Sequence, residues 1–422
     1  MLEAEREFAG DAGRLVGVDH FGASAACTVL HEQFGLTALC QRWGLASGST
    51  REVVPRRSMS VPPPNGEQTG QGHERVIRMR AVVFAAEGEL TVAERPEPVP
   101  GPREVLIETA AVGICGTDAH VLDGEFEGTV FPLVPGHEAT GTVVALGPGA
   151  GEGPSALAVG DHVAVNPSST CGECDLCLTG RQNLCRDWNG MGVVRADGAA
   201  QQRFTASGAN VFRLRPDTDV FEAALIEPLA CAIHGWDVLP RRMGEHVLVY
   251  GSGTMGLLMA QLAPRAGAAS VTVVDVNPDR LVTAAEVGIE HRYTSADHAD
   301  RAKWDVVIDC TGSIAAIEDG LPRVMAGGVF QHFGVAPADA TARYSPFRVY
   351  RDEVSVVGTM AVLNSFGRAV AMFEAGAIKA QPMISHSFTL EDYSEALRMF
   401  RAGQGRKLQV RPNQDTSQTL FS

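Results

Sequence analysis

The chain has 422 residues, 45% apolar and 20% charged, a composition that suits a globular protein long enough for two or three cores. Its 35 basic residues face 50 acidic ones, and a net charge of −15 argues against nucleic acid or an anionic membrane surface as the main partner, since both need a basic footprint. Nine cysteines are too sparse for a secreted disulfide framework, no apolar run reaches the roughly 18 residues of a membrane span, and the acidic N-terminus lacks a leader pattern, so a cytoplasmic enzyme is expected.

Residues 1–78 read as an extension, disordered or belonging to a miscalled start. The stretch from Arg51 to Gly72 is rich in Pro, Gly and polar residues and has no core-forming period. A short helix fits residues 22–46, where Cys27, His31 and Cys40 lack recognised zinc spacing. Lys303, Lys379 and Lys407 are the only lysines against 32 arginines, with 46 glycines, a bias that fits GC-rich coding. Open frames in such DNA run upstream of true starts, so the enzyme proper is expected to begin near Met79, where MRAVVF opens a strand.

From residue 79 to 227 short alternating strands broken by Gly and Pro (VLIETAAVGIC, GTVVALG, DHVAVNP) predict a β-rich, barrel-like unit. From 228 to 360 strands alternate with helical stretches, the rhythm of βαβ units around a parallel sheet, so the fold class is α/β. Residues 361–422 return to helices before a last strand, KLQVRP.

Within the α/β segment, Gly251-Ser252-Gly253-Thr254-Met255-Gly256 follows the apolar strand VLVY and opens a helix. In such a fingerprint the first glycine makes the turn, the second lets backbone approach a pyrophosphate, and the third lets helix pack on strand. The helix N-terminus offers free N–H groups and a positive dipole end to the phosphates. Asp275 ends the next strand, placed to accept bonds from ribose hydroxyls and to repel a 2′-phosphate, which favours NAD over NADP; Arg280 nearby softens that preference. Thr311 and Gly312 follow DVVIDC, at the edge where the nicotinamide half belongs.

Cys171, Cys174, Cys177 and Cys185 form C-x2-C-x2-C-x7-C, and four thiolates close a tetrahedral shell around Zn²⁺ with no open position. A nucleic-acid zinc ribbon would want two separated CxxC pairs and basic flanks, so a structural clamp is the stronger reading. A second set is dispersed: Cys115 in GICGTDAH, His137 and Glu138 in PGHEATG, and Glu227 in ALIEPLA. Cys231 and Cys310 sit in apolar contexts and read as packed thiols.

With GICGTD, PGHEATG, the four-cysteine lobe, ALIEPLA and VVIDCTG in order, the chain from Met79 resembles the zinc-dependent medium-chain dehydrogenases of the alcohol dehydrogenase superfamily, closest in style to sorbitol and other polyol dehydrogenases. The resemblance implies a GroES-like catalytic domain over 79–227, completed by 361–422, and a doubly wound Rossmann NAD-binding domain over 228–360. It implies a catalytic zinc held by Cys115 and His137, with Glu138 and Glu227 reaching the metal directly or through water, beside the structural zinc of the lobe. Asp118 would orient His137, and Lys407 would neutralise the cofactor pyrophosphate or lie solvated at the surface. The implied reaction is hydride transfer from a secondary alcohol, a polyol or sugar alcohol, to NAD, the metal acting as Lewis acid. Thr117 and His120 would carry the proton out, the bland reading of His120 being an exposed loop histidine. Other substrates in the same class are a vicinal diol, a threonine-like amino alcohol or a simple alcohol; a non-catalytic or NADPH reductase-like relative is the different-class alternative. A homo-oligomer, dimer or tetramer, is implied too. Where the family often carries an aromatic after the cysteine lobe, this chain reads Asp197-Gly198-Ala199-Ala200-Gln201-Gln202, which suggests a roomier, more polar substrate entrance.

Overall fold

The structure is a computed structural model that describes residues 77–152 and 156–420; the readings placed on Cys27, His31, Cys40, the helix over 22–46 and the linker from Arg51 to Gly72 lie outside the described residues. In chain order the strands begin with β1 (Arg78–Ala86), β2 (Glu89–Pro96), β3 (Glu104–Gly113), β4 (Glu138–Leu146), β5 (His162–Val165), β6 (Ser168–Ser169), β7 (Asn189–Gly190), β8 (Arg203–Ser207) and β9 (Val211–Arg213). The middle of the chain contributes β10 (His246–Tyr250), β11 (Ser270–Val274), β12 (His291–Tyr293), β13 (Trp304–Asp309), β14 (Val324–His332) and β15 (Ser355–Gly358). The C-terminal strands are β16 (Ile384–Phe388), β17 (Lys407–Val410) and β18 (Gln418–Thr419).

Strands β10 to β15 form a six-stranded sheet in the order β12-β11-β10-β13-β14-β15, and every neighbouring pair is parallel. Both faces are covered, as an all-parallel sheet requires. On β10, Val247 and Val249 pack with Leu229, Ile233 and Leu258 on one face, while Leu248 and Tyr250 pack with Trp304 and Phe330 on the other. The first face is covered by α2 (Ile226–Asp237) and α3 (Thr254–Leu262); α4 (Pro278–Glu286) follows β11 and α5 (Ile314–Gly320) follows β13. The strand order reverses between β10 and β13, which opens a crevice at their carboxyl ends, where α/β sheets bind ligands.

The remaining strands build the β-rich part. Its main sheet runs β18-β16-β17-β3-β4-β5-β9, with β8 also on β3, so the C-terminal strand β17 lies against β3 from near the start of the described chain. That pairing carries Lys407 to the end of β3 and to α1 (Gly116–Leu122) beyond it. The last helix, α6 (Tyr393–Arg401), seals this core with Tyr393 and Leu397. Among the described residues no helix is long and apolar enough to cross a membrane.

Candidate active site and metal clusters

The four cysteines of the lobe converge. Sulfur separations are 3.5 Å for Cys171–Cys185, 3.9 Å for Cys171–Cys177 and 4.0 Å for Cys174–Cys185. Tetrahedral zinc with bonds of about 2.3 Å requires about 3.8 Å between sulfurs, whereas a disulfide requires about 2.05 Å; the set fits a metal and all four are free thiols. Backbone N–H groups of Cys171 and Asp187 point at Cys185 Sγ, both at 3.4 Å, and that of Cys174 points at Cys171 Sγ at 3.4 Å, so the chain is already folded to receive thiolates. Backbone N–H bonds from Arg186 and Cys177 hold the Cys174 thiol down to about 6, while burial pushes Cys177 up to about 12.

The dispersed set also assembles. Donor atoms of Cys115, His137 and Glu138 all lie within 4.8 Å of one another. Cys115 precedes α1, and Asp118 on that helix is fully buried, accepting the Cys115 backbone N–H at 2.8 Å through Oδ2. Its Oδ1 lies 3.5 Å from His137 Nδ1, which leaves Nε2 of the ring free for a metal. Burial lowers the His137 imidazole, but the Asp118 charge and hydrogen bond and the Cys115 thiol outweigh it and lift it well above its ordinary range. Glu138 opens β4 and forms a buried ion pair with Lys407, whose Nζ also donates to the Ile114 carbonyl at 3.0 Å. Glu227, at the start of α2, stands outside the group of three; burial pushes it up to about 7, with His137 opposing and Glu138 adding to the shift. Thr117 Oγ1 lies 3.6 Å from Cys115 Sγ, and His120, one turn on along α1, bonds Glu125 Oε2 through Nδ1 at 2.6 Å.

The glycine turn has the shape a dinucleotide needs. A Cβ on Gly256 would sit 1.8 Å from the Gly251 carbonyl oxygen, so helix and strand touch there, while a Cβ on Gly253 would meet nothing within 4 Å. Gly253 therefore faces open space beside the N-terminus of α3, where Thr254 and Met255 form the first turn. Asp275 is buried and accepts the backbone N–H of Ser252 at 2.7 Å and of Asn277 at 2.9 Å; Arg280 Nη1 is 3.9 Å away. A cavity of about 420 Å³ opens here, lined by Gly251, Asp275, Arg280, Thr311 and Asp319 among others. Lys407 ties the two regions together: besides pairing with Glu138 it lines a smaller cavity shared with Gly253 and Thr254.

Three expectations change. Lys407 is 4% exposed, so a solvated surface role is excluded. The segment after the lobe is no substrate entrance: Ala199, Ala200 and Gln201 are buried, and the backbone N–H groups of Gly198, Ala199 and Ala200 donate to the carbonyls of Val134, Gly136 and Pro135. Its small residues brace the loop that presents His137 from behind. His120 lies on a helix and is paired, so the loop reading of it is also replaced. Sequence reasoning missed Asp309, whose carboxylate accepts the backbone N–H of Thr311 and Gly312 and the Thr311 hydroxyl, shaping the turn after β13; an acid at a strand end before C-T-G was the available signal. Cys231, read as a packed thiol, also donates to Glu227 Oε1 at 3.4 Å, four residues along the same helix face.

Both parts of the chain are similar to known proteins. Residues 101–216 match the alcohol dehydrogenase GroES-like domain and residues 254–375 the zinc-binding dehydrogenase domain. The chain is 33% identical over 349 residues to D-arabinitol dehydrogenase 1 of Uromyces fabae, covering 80% of this chain and 98% of that protein. It is 32% identical over 347 residues to sorbitol dehydrogenase of Gallus gallus, covering 78% and 96%. A protein of Sinorhizobium meliloti 1021 whose structure holds NADP superposes with a TM-score of 0.73 at 31% identity, over 80% of this chain and 100% of that one. Two matching domains in order, with long relatives above 30% identity, settle the family: the chain is a zinc-dependent medium-chain dehydrogenase of the polyol dehydrogenase type.

Proposed function

We propose that residues 79–422 form a cytoplasmic, NAD-dependent dehydrogenase that oxidises a secondary hydroxyl of a polyol or sugar alcohol. The observation that carries this reading is buried Lys407, with Glu138 of the metal cluster on one side and the glycine-turn cavity on the other. D-Arabinitol, altritol and sorbitol dehydrogenases among the relatives support the substrate class, and the Asp275 carboxylate supports NAD, because a 2′-phosphate would meet its charge. The seven free cysteines of the described chain suit a reducing compartment.

When bound, zinc supplies Lewis acidity toward the alcohol oxygen and the nicotinamide a hydride acceptor. Cys115, His137 and Glu138 would hold that metal, with Glu227 reaching it directly or through water, and the four-cysteine lobe would hold a second, structural ion. Asp118 fixes the His137 ring, and Lys407 balances the Glu138 charge. The Thr117 hydroxyl, beside Cys115, is placed to take the substrate proton as it gives up its own, and His120, held by Glu125, is placed to release a proton to solvent. Replacing His120 by alanine is expected to lower kcat roughly tenfold or more and to alter the pH–rate profile; an unchanged profile removes it from the relay.

Among the described residues the outer edge of β15 carries no partner strand, and Tyr344, Phe347 and Tyr350, in the segment that leads into β15, are 58%, 64% and 81% exposed, which supports a homo-oligomer built on that edge. One set of measurements tests the whole reading: metal content, NAD⁺ and NADP⁺ reduction over polyols, sugars, vicinal diols, threonine and simple alcohols, and sedimentation equilibrium, on the full chain and on residues 79–422. About two zinc per chain, NAD⁺ reduction best with a polyol, loss of activity on chelation and an oligomer of either chain are expected. A zinc-free protein, or one reducing neither cofactor, overturns the function; a monomer overturns the oligomer alone.

A further inference from the structure

Asn183 stands where three parts of the molecule meet. It lies in the short turn Gln182–Leu184, two residues before Cys185 of the lobe, and is 7% exposed. Its side-chain nitrogen donates to the Met360 carbonyl at 2.9 Å and lies 3.5 Å from Nε2 of His234. Burial holds the His234 imidazole below its ordinary range, and in the tautomer protonated at Nδ1 its Nε2 accepts from the Asn183 amide. His234 is on α2, seven residues and two helical turns from Glu227, hence on the same face. Met360 is two residues past the carboxyl end of β15, in a loop where Ala361 and Asn364 adopt left-handed backbone (φ of 49° and 52°), which asparagine tolerates and alanine rarely adopts. Such a loop keeps its shape because its neighbours impose it.

Where that loop sits gives the contact its meaning. In a doubly wound sheet the dinucleotide lies beyond the carboxyl ends of the strands, one mononucleotide to each half. The half with the glycine turn and Asp275 takes the adenosine, which leaves β13 to β15 for the nicotinamide. Gln331 on β14 braces the same loop from the other side, its amide donating to Thr359 Oγ1 at 2.7 Å and to the Gly235 carbonyl of α2 at 2.8 Å. Asn183 is thus the point at which the four-cysteine lobe is tied both to the helix carrying Glu227 and to the loop facing the nicotinamide end of the crevice.

We propose that Asn183 is a positioning residue that carries the anchorage of the four-cysteine lobe to the loop after β15 and so sets the affinity for the nicotinamide end of the cofactor. This rests on the nicotinamide-cofactor reading above and assigns the lobe a task beyond holding its own fold. The test is Asn183→Leu, close in size, which leaves the Met360 carbonyl and His234 Nε2 without their donor. Metal content is measured first, then the Kd of NADH and of ADP-ribose, which lacks the nicotinamide, by fluorescence and calorimetric titration. The expected result is roughly tenfold weaker NADH binding, ADP-ribose binding within about twofold of wild type, and unchanged zinc. NADH affinity equal to wild type overturns the proposal; so does equal weakening of both ligands, which makes Asn183 a general support of the fold. If Asn183→Leu does not fold, the same measurements are made on Asn183→Ser, and the same two results overturn the proposal. A wild-type protein that binds neither ligand overturns the cofactor reading instead, a result distinct from both.

Discussion

Gly113→Ala is expected to lower kcat/KM by about 100-fold or more, to reduce catalytic-site zinc, and to cost about 3–5 kcal/mol of stability, although it adds one methyl group. A Cβ at Gly113 would stand 1.9 Å from Glu138 Oε2 and 2.6 Å from Lys407 Cε. Both are ends of long side chains, which at a surface would swing aside. Here Glu138 is 2% and Lys407 4% exposed, so the displaced groups have no water to retreat into. The backbone has no slack either, because Gly113 is paired with Glu138 of β4 on one side and Gln409 of β17 on the other. Separating a buried pair leaves charge uncompensated in a medium that solvates it poorly, the costly way to lose a salt bridge. Gly253→Ala is the control: its Cβ meets no protein atom within 4 Å, so stability without cofactor should stay at the wild-type value while the KM for NAD⁺ rises. Denaturant unfolding, zinc analysis and steady-state kinetics on the two variants give the comparison. Wild-type kinetics and zinc in Gly113→Ala would falsify the idea that the Glu138–Lys407 pair is tightly enclosed and needed.

The contrast between these glycines also marks how far the sequence could be read. The turn from Gly251 to Gly256 and the four cysteines announce themselves because their chemistry needs residues close together in the chain, and spacing then carries the geometry. The period change near residue 228 separates the β-rich part from the α/β part for the same local reason. The Glu138–Lys407 pair has no such signature. It exists because β17 returns to β3, and the Lys407 bond to the Ile114 carbonyl spans 293 residues. Gly113 looked like one more glycine in VLIETAAVGIC until that strand was placed against it. The stretch from Asp197 to Gln202 misled in the opposite way: its small residues suggested open space, yet they are small because Gly136 and Ala200 approach so closely that a Gly136 Cβ would lie 3.0 Å from the Ala200 nitrogen. Asn183 was hidden among the cysteines, and the partner that gives it a role is 177 residues away.

Cys177→Ala should bring zinc from about two to about one per chain and lower the unfolding midpoint by about 10 °C or more. The reason lies in what the metal-free lobe must supply. Backbone N–H donors keep Cys174 at about 6, so it is already a thiolate at neutral pH, but burial puts Cys177 at about 12, and its proton has to leave when zinc binds. Zinc affinity of the lobe in the wild type is therefore expected to rise with pH between 6 and 8, by about one logarithmic unit per pH unit for each thiol still protonated. The sign is fixed: protons compete with the metal, and Cys177 is the residue they hold most tightly. Alanine at that position removes the fourth ligand, and without the metal nothing ties the three remaining sulfurs together within 4.8 Å of one another, so the lobe opens. Opening has a route to the active site through Asn183, two residues from Cys185, so Cys177→Ala is also expected to weaken NADH while sparing ADP-ribose, as Asn183→Leu does. In the double variant the two losses should not add, because both break the same tie. Zinc titration against a chromophoric chelator across pH, with NADH binding to the single and double variants, decides it. Retention of two zinc ions by Cys177→Ala contradicts the ligand assignment, and fully additive losses contradict the shared route to the cofactor.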